Sequence, residues 1–373
     1  MDFDLHIPTR VVFEAGAIDR VGSLVRPYGT RALLVTGRTS ARAHGYRDRA
    51  VASLESAGVG VRVFDRISAN PRSDEVDEAA AQARLAGCDV IVGLGGGSAI
   101  DAAKGIAVAA VSGGTVRDAI GTTLEPDRPV LPVVAVPTTA GSGSEVTKGA
   151  IITDTARGFR SGVRGDALFP RVAVVDPDLI TSVPASVLAE TAFDAFAHAV
   201  EGCVAVRATA ISRALSHQAI DLIARHLPAM LRGEDNPVTR EGLCLAALLG
   251  GVNVATVSTC LPHRLQQAMG SVRGLDISHG RGLAAVYPSW LRHTAPMSAD
   301  AFQEIAGRLG GATVHDAVDG LLAEAGLTVR LREWGVTEKD LDTLVGGVSG
   351  NLGNDPAADI DGLYLRTIYA ESI

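Results

Sequence analysis

Short unbroken runs of apolar residues recur through the first half of the chain, each closed by a glycine, a proline or an acid. Arg31–Gly37 (RALLVTG), Val61–Phe64, Asp89–Leu94 (DVIVGL), Val130–Val136 (VLPVVAV) and Arg171–Asp176 (RVAVVD) are of this kind. Runs that are apolar at successive positions, rather than alternating, predict strands covered on both faces and hence a mostly parallel sheet. Stretches of helical spacing between them, such as Ser98–Val111, predict right-handed crossover helices. Near Pro184 the pattern changes. Apolar positions then recur at helical spacing through Val187–Val204, Ala208–Leu231, Thr239–Thr256, Ala301–Leu309, Val314–Ala325, Glu338–Gly347 and Asp359–Ser372, and strand-like runs nearly vanish. The expected architecture is an α/β domain with a mostly parallel sheet over residues 1–182, followed by an all-α domain over 183–373. There are no internal repeats and no low-complexity tracts.

Composition narrows the functional classes. With 373 residues, 47% hydrophobic and 20% charged, the chain has the size of two domains with real cores; disorder, collagen and coiled coil are poor readings. The formal net charge of −8 and pI of about 5.6, without a basic stripe, speak against a nucleic-acid partner. Cys88, Cys203, Cys244 and Cys260 form no CxxC pair and read as free thiols in a reducing compartment. Met1-Asp2-Phe3-Asp4 lacks the basic and apolar regions of a signal peptide. No apolar run reaches the roughly 18 residues needed to span a membrane. A cytoplasmic protein without a membrane partner is expected.

The 42 glycines cluster after the apolar runs, where tight strand-to-helix turns belong. Gly93-Leu94-Gly95-Gly96-Gly97-Ser98 follows a buried strand and opens a helix. Glycines let the backbone approach a phosphate, and N–H groups at the helix start meet its charge. Ser98 can cap that helix and also donate to phosphate. The run is not a full GxGxxG, because Ser98 stands at the third glycine's place. Pro137-Thr138-Thr139-Ala140-Gly141-Ser142-Gly143-Ser144-Glu145 is a second small, hydroxyl-rich turn after a buried strand. Two such loops at the carboxyl ends of parallel strands favour a nucleotide site over idle turns. At the end of the Arg31–Gly37 strand, the residues Gly37, Arg38, Thr39 and Ser40 include no acid to hold a ribose 2′-hydroxyl. That leans toward NADP; Arg38 is either a phosphate contact or a solvated side chain.

Asp194 and His198 lie four apart in the helical run Glu190–Glu201 (ETAFDAFAHAVE), hence on one helical face. His263 and His279 follow downstream in apolar, glycine-rich surroundings. One carboxylate and three imidazoles suit a borderline divalent metal such as Fe(II) or Zn(II), not Ca(II) or Mg(II). His6, His44, His217, His226, His293 and His315 read as surface or hydrogen-bonded core groups. Glu190 and Glu201 read as helix-end or solvated carboxylates.

Together these residues resemble the iron-containing (group III) alcohol dehydrogenases over essentially the whole chain. The resemblance is carried by Pro8–Phe13 with Gly16, by Gly95–Lys104 (GGGSAIDAAK), by Pro137–Glu145 with Ser142 for the usual threonine, by Asp176-Pro177, by Thr191–Glu201 and by His279-Gly280. It implies the two-domain architecture shared with dehydroquinate synthase: an N-terminal dinucleotide-binding domain, a C-terminal helical domain and an active site between them. It implies metal ligation by Asp194, His198, His263 and His279. It places Gly96, Gly97, Ser98 and Asp101 at the pyrophosphate and nicotinamide, with Gly95 in the same turn, and Thr138, Thr139 and Ser142 along the remaining groove. Gly37 and Thr39 fall at the adenosine ribose, and Arg160 stands where the family usually carries a lysine.

Two departures from the family pattern bear on the chemistry. Gly37 replaces a frequent acid, which opens the site to NADP beside NAD. Gln267 replaces a frequent histidine four residues after His263; it can hydrogen-bond but cannot titrate. The expected reaction is hydride transfer between a nicotinamide and a small alcohol or aldehyde, with His263 and Gln267 at the reacting centre and Fe(II), alternatively Zn(II), bound. Arg264 either anchors an anionic substrate group or points outward to a surface acid. Two alternatives stand beside this reading: a sugar-phosphate cyclase-like lyase, and a paralogue without hydride transfer. A homodimer or larger assembly is expected from the resemblance.

Overall fold

Four buried parallel strands and one edge strand account for the five apolar runs of the first half. The computed structural model describes residues 3–373. Its strands are β1 Arg10–Phe13, β2 Arg31–Gly37, β3 Gly60–Ile67, β4 Val90–Gly95, β5 Val133–Pro137, β6 Gly149–Asp154, β7 Phe159–Arg164 and β8 Val172–Val175. Six of them form one sheet in the order β1-β8-β5-β4-β2-β3, parallel throughout. The helices of this half are α1 Val21–Val25, α2 Ser40–Ala43, α3 Tyr46–Ser56, α4 Ser73–Leu85 and α5 Gly97–Ser112. Apolar layers cover both faces of the sheet, with Ile91, Ala103 and Ile106 in one and Val90, Val92 and Leu54 in the other. This is the burial that unbroken Val/Ile/Leu runs require.

The close seat of α5 on β4 explains Gly93. A Cβ there would come within 2.9 Å of the Ala103 Cβ and 3.2 Å of the Ile100 Cα. The remaining strands, β6 and β7, form an antiparallel hairpin that the apolar runs did not reveal. Its strand β6 alternates half-buried and buried positions, with Ala150, Ile152 and Asp154 the buried ones. A period of two leaves no continuous run to read.

The second half is helical: α6 Ala185–Val204, α7 Ala210–Leu231, α8 Pro237–Val257, α9 Leu261–Ala268, α10 His279–Thr294, α11 Ala299–Arg308, α12 Val314–Glu324, α13 Leu341–Gly347 and α14 Gly362–Ser372. The periodicity located most of these within a few residues but passed over α9 and α10, which are short or interrupted by Pro288. Helix α8 is long and apolar enough to cross a membrane, but 61% of its apolar window is buried, as in a core helix. It packs with α6 and α7.

By contacts the chain divides into two units. One comprises His6–Thr139 and Gly143–Val183; the other comprises Pro184–Ile373 with residues 3–5 and Ala140–Ser142. The loop Ala140–Ser142 therefore belongs to the helical unit, where Gly141 lies so close that a Cβ would sit 2.7 Å from the Thr191 carbonyl oxygen.

Candidate active site

In the α/β unit, the strand order reverses between β2 and β4, because β3 lies on one side of β2 and β4 on the other. Ligands of open parallel sheets bind at such a point, beyond the carboxyl ends of the strands. Three sequence-predicted segments end there. Gly37 ends β2 with Thr39 just beyond it, Gly95 ends β4 with Gly96–Ser98 beyond it, and Thr138 and Thr139 follow β5. The last two segments touch: the Thr138 amide donates to the Gly95 carbonyl at 3.0 Å, and Thr139 Oγ1 would stand 3.3 Å from a Cβ on Gly96.

Helix α5 begins at Gly97 with extended Gly96 as its N-cap, and no side chain caps it. Ser98 is thus not the cap; its hydroxyl accepts from the Asn70 amide at 3.3 Å and ties the turn to the β3–α4 loop. Gly95 has φ +154°, a conformation reserved for glycine. Gly37 is different. A Cβ there would meet only the Ile67 carbonyl oxygen, at 3.8 Å, so the backbone does not demand glycine. Arg38 beside it is exposed and pairs with Glu75 at 2.9 Å.

Asp101 is engaged with protein groups: its carboxylate accepts from the Ser144 hydroxyl and, at 2.8 Å, from the Ile151 amide. The buried Lys104 one turn further on donates to Ser144 O, Thr147 O and Gly149 O at 2.7–2.9 Å, and to two hydroxyls. Both residues hold the loop after β5 against α5. Arg160 stands on β7 in register with Thr153.

In the helical unit, α6 carries Asp194, His198 and Glu201 on one face, a polar stripe in a helix otherwise rich in alanine. Helix α9 brings His263 and the first residue of α10 is His279. Three imidazole nitrogens converge on one carboxylate oxygen: from Asp194 Oδ1, the Nε2 atoms of His279, His263 and His198 lie 3.2, 3.3 and 3.5 Å away. The His198 and His263 rings stack at 4.6 Å. Ligand atoms of Asp194, His263 and His279 all lie within 4.8 Å of one another.

These separations fit a bound ion. Ligands about 2.1 Å from a tetrahedral metal stand about 3.4 Å from each other. The grouped donors, the Asp194 carboxylate with the His263 and His279 imidazoles, are of the kind a borderline divalent ion takes, and His198 adds a third imidazole beside Asp194. Two of the rings are also held with Nε2 facing Asp194. His263 Nδ1 lies 2.8 and 2.9 Å from the Glu201 carboxylate oxygens, and His279 Nδ1 lies 2.5 Å from Gln266 Oε1.

The electrostatics agree. Burial would raise Asp194, yet the neighbouring His198 and His279 hold it well below the ordinary carboxylate range. Burial opposes charge on His263, but Glu201 and Asp194 outweigh it and raise the imidazole to about 9. Burial, reinforced by the other rings, lowers His198 to about 4. A buried cluster so strongly divided between acid and base has the character of a functional site.

Several sequence expectations are corrected here. Glu201 is no solvated carboxylate: it is 0% exposed and also accepts from the Cys260 amide at 2.6 Å. Glu190 pairs with Arg281 at 2.7 Å and is partly buried. Arg264 is buried rather than outward-facing, donating to Gln267 Oε1, Ser258 Oγ and Thr259 Oγ1 at 3.0–3.3 Å. Gln267 therefore touches Arg264, whereas its neighbour Gln266 touches His279. Gln266 was passed over, and Glu201 was read as helix-end or solvated; the signal for it was its place seven residues after Asp194 on the same helical face.

Two family profiles match the chain: "Iron-containing alcohol dehydrogenase" over residues 8–177, and "Fe-containing alcohol dehydrogenase family, C-terminal" over residues 188–354. The chain belongs to the iron-containing alcohol dehydrogenase family. Its activity class is therefore that of an oxidoreductase acting on alcohols and aldehydes, and the lyase alternative falls. The 1,3-propanediol dehydrogenase of Klebsiella pneumoniae is 33% identical, over 91% of this chain and 90% of its own length. The NAD-dependent methanol dehydrogenase of Bacillus methanolicus is 31% identical, over 91% of this chain and 92% of its own length. Among solved structures, an archaeal halo-thermophilic alcohol dehydrogenase from a Red Sea brine pool superposes with TM-score 0.94 at 28% identity, over 100% of this chain and 99% of its own. Family members are linked to NAD and an iron-type metal, as the methanol dehydrogenase's name and the family's own name record.

Proposed function

We propose that Asp194, His198, His263 and His279 hold one divalent ion, Fe(II) first and Zn(II) second, and that the chain reduces small aldehydes with NADPH in preference to NADH. The observation that carries the metal assignment is the convergence of three Nε2 atoms on Asp194 Oδ1 at 3.2–3.5 Å. An ion bound there supplies Lewis acidity to the substrate oxygen, and the nicotinamide supplies the hydride chemistry. The chain's own residues do the rest. Asp194 contributes a buried negative charge. Glu201 and Gln266 keep the Nδ1 protons of His263 and His279, so both Nε2 lone pairs face inward. Gln267 cannot take up a proton, so it orients by hydrogen bonding only. Residues Gly95, Gly96, Gly97, Ser98, Asp101, Thr138, Thr139, Ser142 and Arg160 line or support the dinucleotide site, with Gly37 and Thr39 at its ribose end.

The NADP preference rests on Gly37. No acid stands there, and the backbone leaves room for a side chain that the sequence does not supply. Gly37→Asp should shift the NADPH/NADH ratio of kcat/KM toward NADH by about tenfold, worth about 1.4 kcal/mol, without loss of stability. Because Arg264 donates to neutral oxygens within the helical unit, neutral aldehydes are the first substrates to test and anionic ones the second. Four cysteines outside any disulfide fit a cytoplasmic setting. The sheet edge at β1, where Val11 is exposed, fits assembly into a homodimer.

The test is oxidation of NADPH and NADH against neutral and anionic aldehydes, with metal-stripped protein refilled anaerobically with Fe(II) or Zn(II). Turnover that returns only with metal supports the reading. Cofactor binding without turnover under either metal would instead mark a paralogue without hydride transfer.

A further inference from the structure

Glu201 lies beyond the four ligands and is the most deeply buried acid near them. Its two oxygens do two jobs. Both face His263 Nδ1, at 2.8 and 2.9 Å, and Oε2 also accepts the Cys260 amide at 2.6 Å, at the N-cap of α9. An ionised carboxylate only accepts hydrogen bonds, so it selects the imidazole tautomer with its proton on Nδ1. When an entering ion displaces the Nε2 proton, the remaining proton stays on Nδ1 and the lone pair is left on Nε2, which lies 3.3 Å from Asp194 Oδ1. The ring is thereby fixed at one nitrogen by Glu201 and aimed at the other.

We infer that Glu201 is a positioning residue for the metal centre, setting the tautomer and ring orientation of His263 so that metal affinity depends on a side chain that does not itself bind the ion. The inference rests on the four-ligand assignment above. The structure also contains its own control. Asp355 accepts the next amide of the same helix start, that of Leu261 at 2.9 Å, together with Trp290 Nε1 at 3.0 Å and the Ala357 amide at 3.0 Å. It supports α9 as Glu201 does, but has no contact with an imidazole among the described residues. The loop residue Asn354 adds to that support, donating to Val257 O and Thr259 O at 2.8 and 3.1 Å. If Glu201 acted only as a helix cap, its loss and that of Asp355 would have like effects.

The experiment is a Co(II) titration of the stripped full-length protein, read by visible absorption, with Zn(II) competition for affinity. It compares the wild type, Glu201→Gln and Asp355→Asn, each checked for folding by thermal melting. Glu201→Gln should weaken metal binding by about 10–100-fold and alter the Co(II) spectrum, while Asp355→Asn keeps the wild-type spectrum and stays within about threefold. Equal losses in both variants would reduce Glu201 to a helix cap and overturn the inference, as would unchanged affinity in Glu201→Gln. Wild-type protein that binds no Co(II) would overturn the ligand assignment itself and the inference with it. Should Glu201→Gln not fold, nitrogen-15 spectra of histidine-labelled wild-type protein with Zn(II) decide. A protonated Nδ1 and metal-bound Nε2 on His263 are expected, and coordination through Nδ1 would overturn the inference.

Discussion

The two units present polar groups from an apolar interior in opposite ways. The α/β unit does so mainly with backbone and with residues close together in sequence. Gly95–Ser98 and Thr138–Thr139 each follow a buried strand, and adjacent parallel strands bring them together. The helical unit does so with side chains from three helices. Asp194 and His198 stand on α6, His263 on α9 and His279 at the start of α10, joined by Glu201 and Gln266 from the same helices. A strand-end turn is therefore a local property that tolerates change elsewhere. A side-chain cluster depends on every helix crossing that aims it.

The sharpest way to break this comparison is to remove one aimed side chain. His263→Ala should lose bound metal and lower kcat/KM for aldehyde reduction by well over the roughly hundredfold typical of an outer partner's loss. Nucleotide binding, followed by quenching of NADPH fluorescence, should persist. Retained metal with full turnover would defeat the ligand assignment.

The largest effect expected on stability lies in the other unit. Lys104→Met removes a buried ammonium from five oxygen acceptors and leaves three carbonyls of the 144–149 loop without it. A cost of about 3–5 kcal/mol in denaturant unfolding is expected, as when a buried charge partner is removed. A loss below about 1 kcal/mol would mean that the loop holds without this stitch.

A smaller effect tests how helix crossings set the cluster around Asp194. At Gly280 a Cβ would fall 2.4 Å from the Glu190 carbonyl oxygen and 2.7 Å from its Cβ, where α10 crosses α6. Gly280→Ala must push the two helices apart, at a cost of about 1–3 kcal/mol, and draw His279 from Asp194. Weaker metal binding should accompany the loss. Gly307→Ala, on α11 with nothing within 4 Å, is the matched control and should be neutral or slightly stabilising.

The smallest effect concerns the clasp of the last helix. Glu371 accepts from Ser289, Arg292 and His293 at 2.7–3.1 Å. Burial opposes its charge, but Arg292 and the other donors outweigh it and lower its pKa to about 2 from the ordinary 4.5. A depressed carboxylate stabilises fully above 4.5, and that contribution is lost as the pH falls through about 2. The advantage of wild type over Glu371→Gln should therefore be constant near neutrality and shrink between those limits. With the side chain about a third exposed, it should not exceed about 1 kcal/mol. A gap that widens on acidification would reverse this account.

Legibility followed the same division. The unbroken runs located β2, β4, β5 and β8 to within about three residues, because strands buried on both faces leave no polar position to confuse the pattern. The hairpin β6–β7 escaped because one of its faces is polar. In the helical unit, the four-residue spacing of Asp194 and His198 could be read, since it lies within one helix. The same helix also carries Glu201, whose spacing was visible but whose meaning was not. A carboxylate at a helix end is ordinarily solvated, and only the packing of α9 against α6 buries it beside His263.

By itself, the sequence determined the order and type of most elements, the glycine-rich turns and the pool of candidate metal-ligating side chains. These depend on residue type and on spacings of a few positions. Only the tertiary structure decided that three Nε2 atoms meet at Asp194, that Glu201 and Gln266 orient two of them, and that Arg264 turns inward. Those facts depend on where helices far apart in the chain cross, and crossings are set by close contacts such as Gly280 against Glu190 rather than by any local pattern.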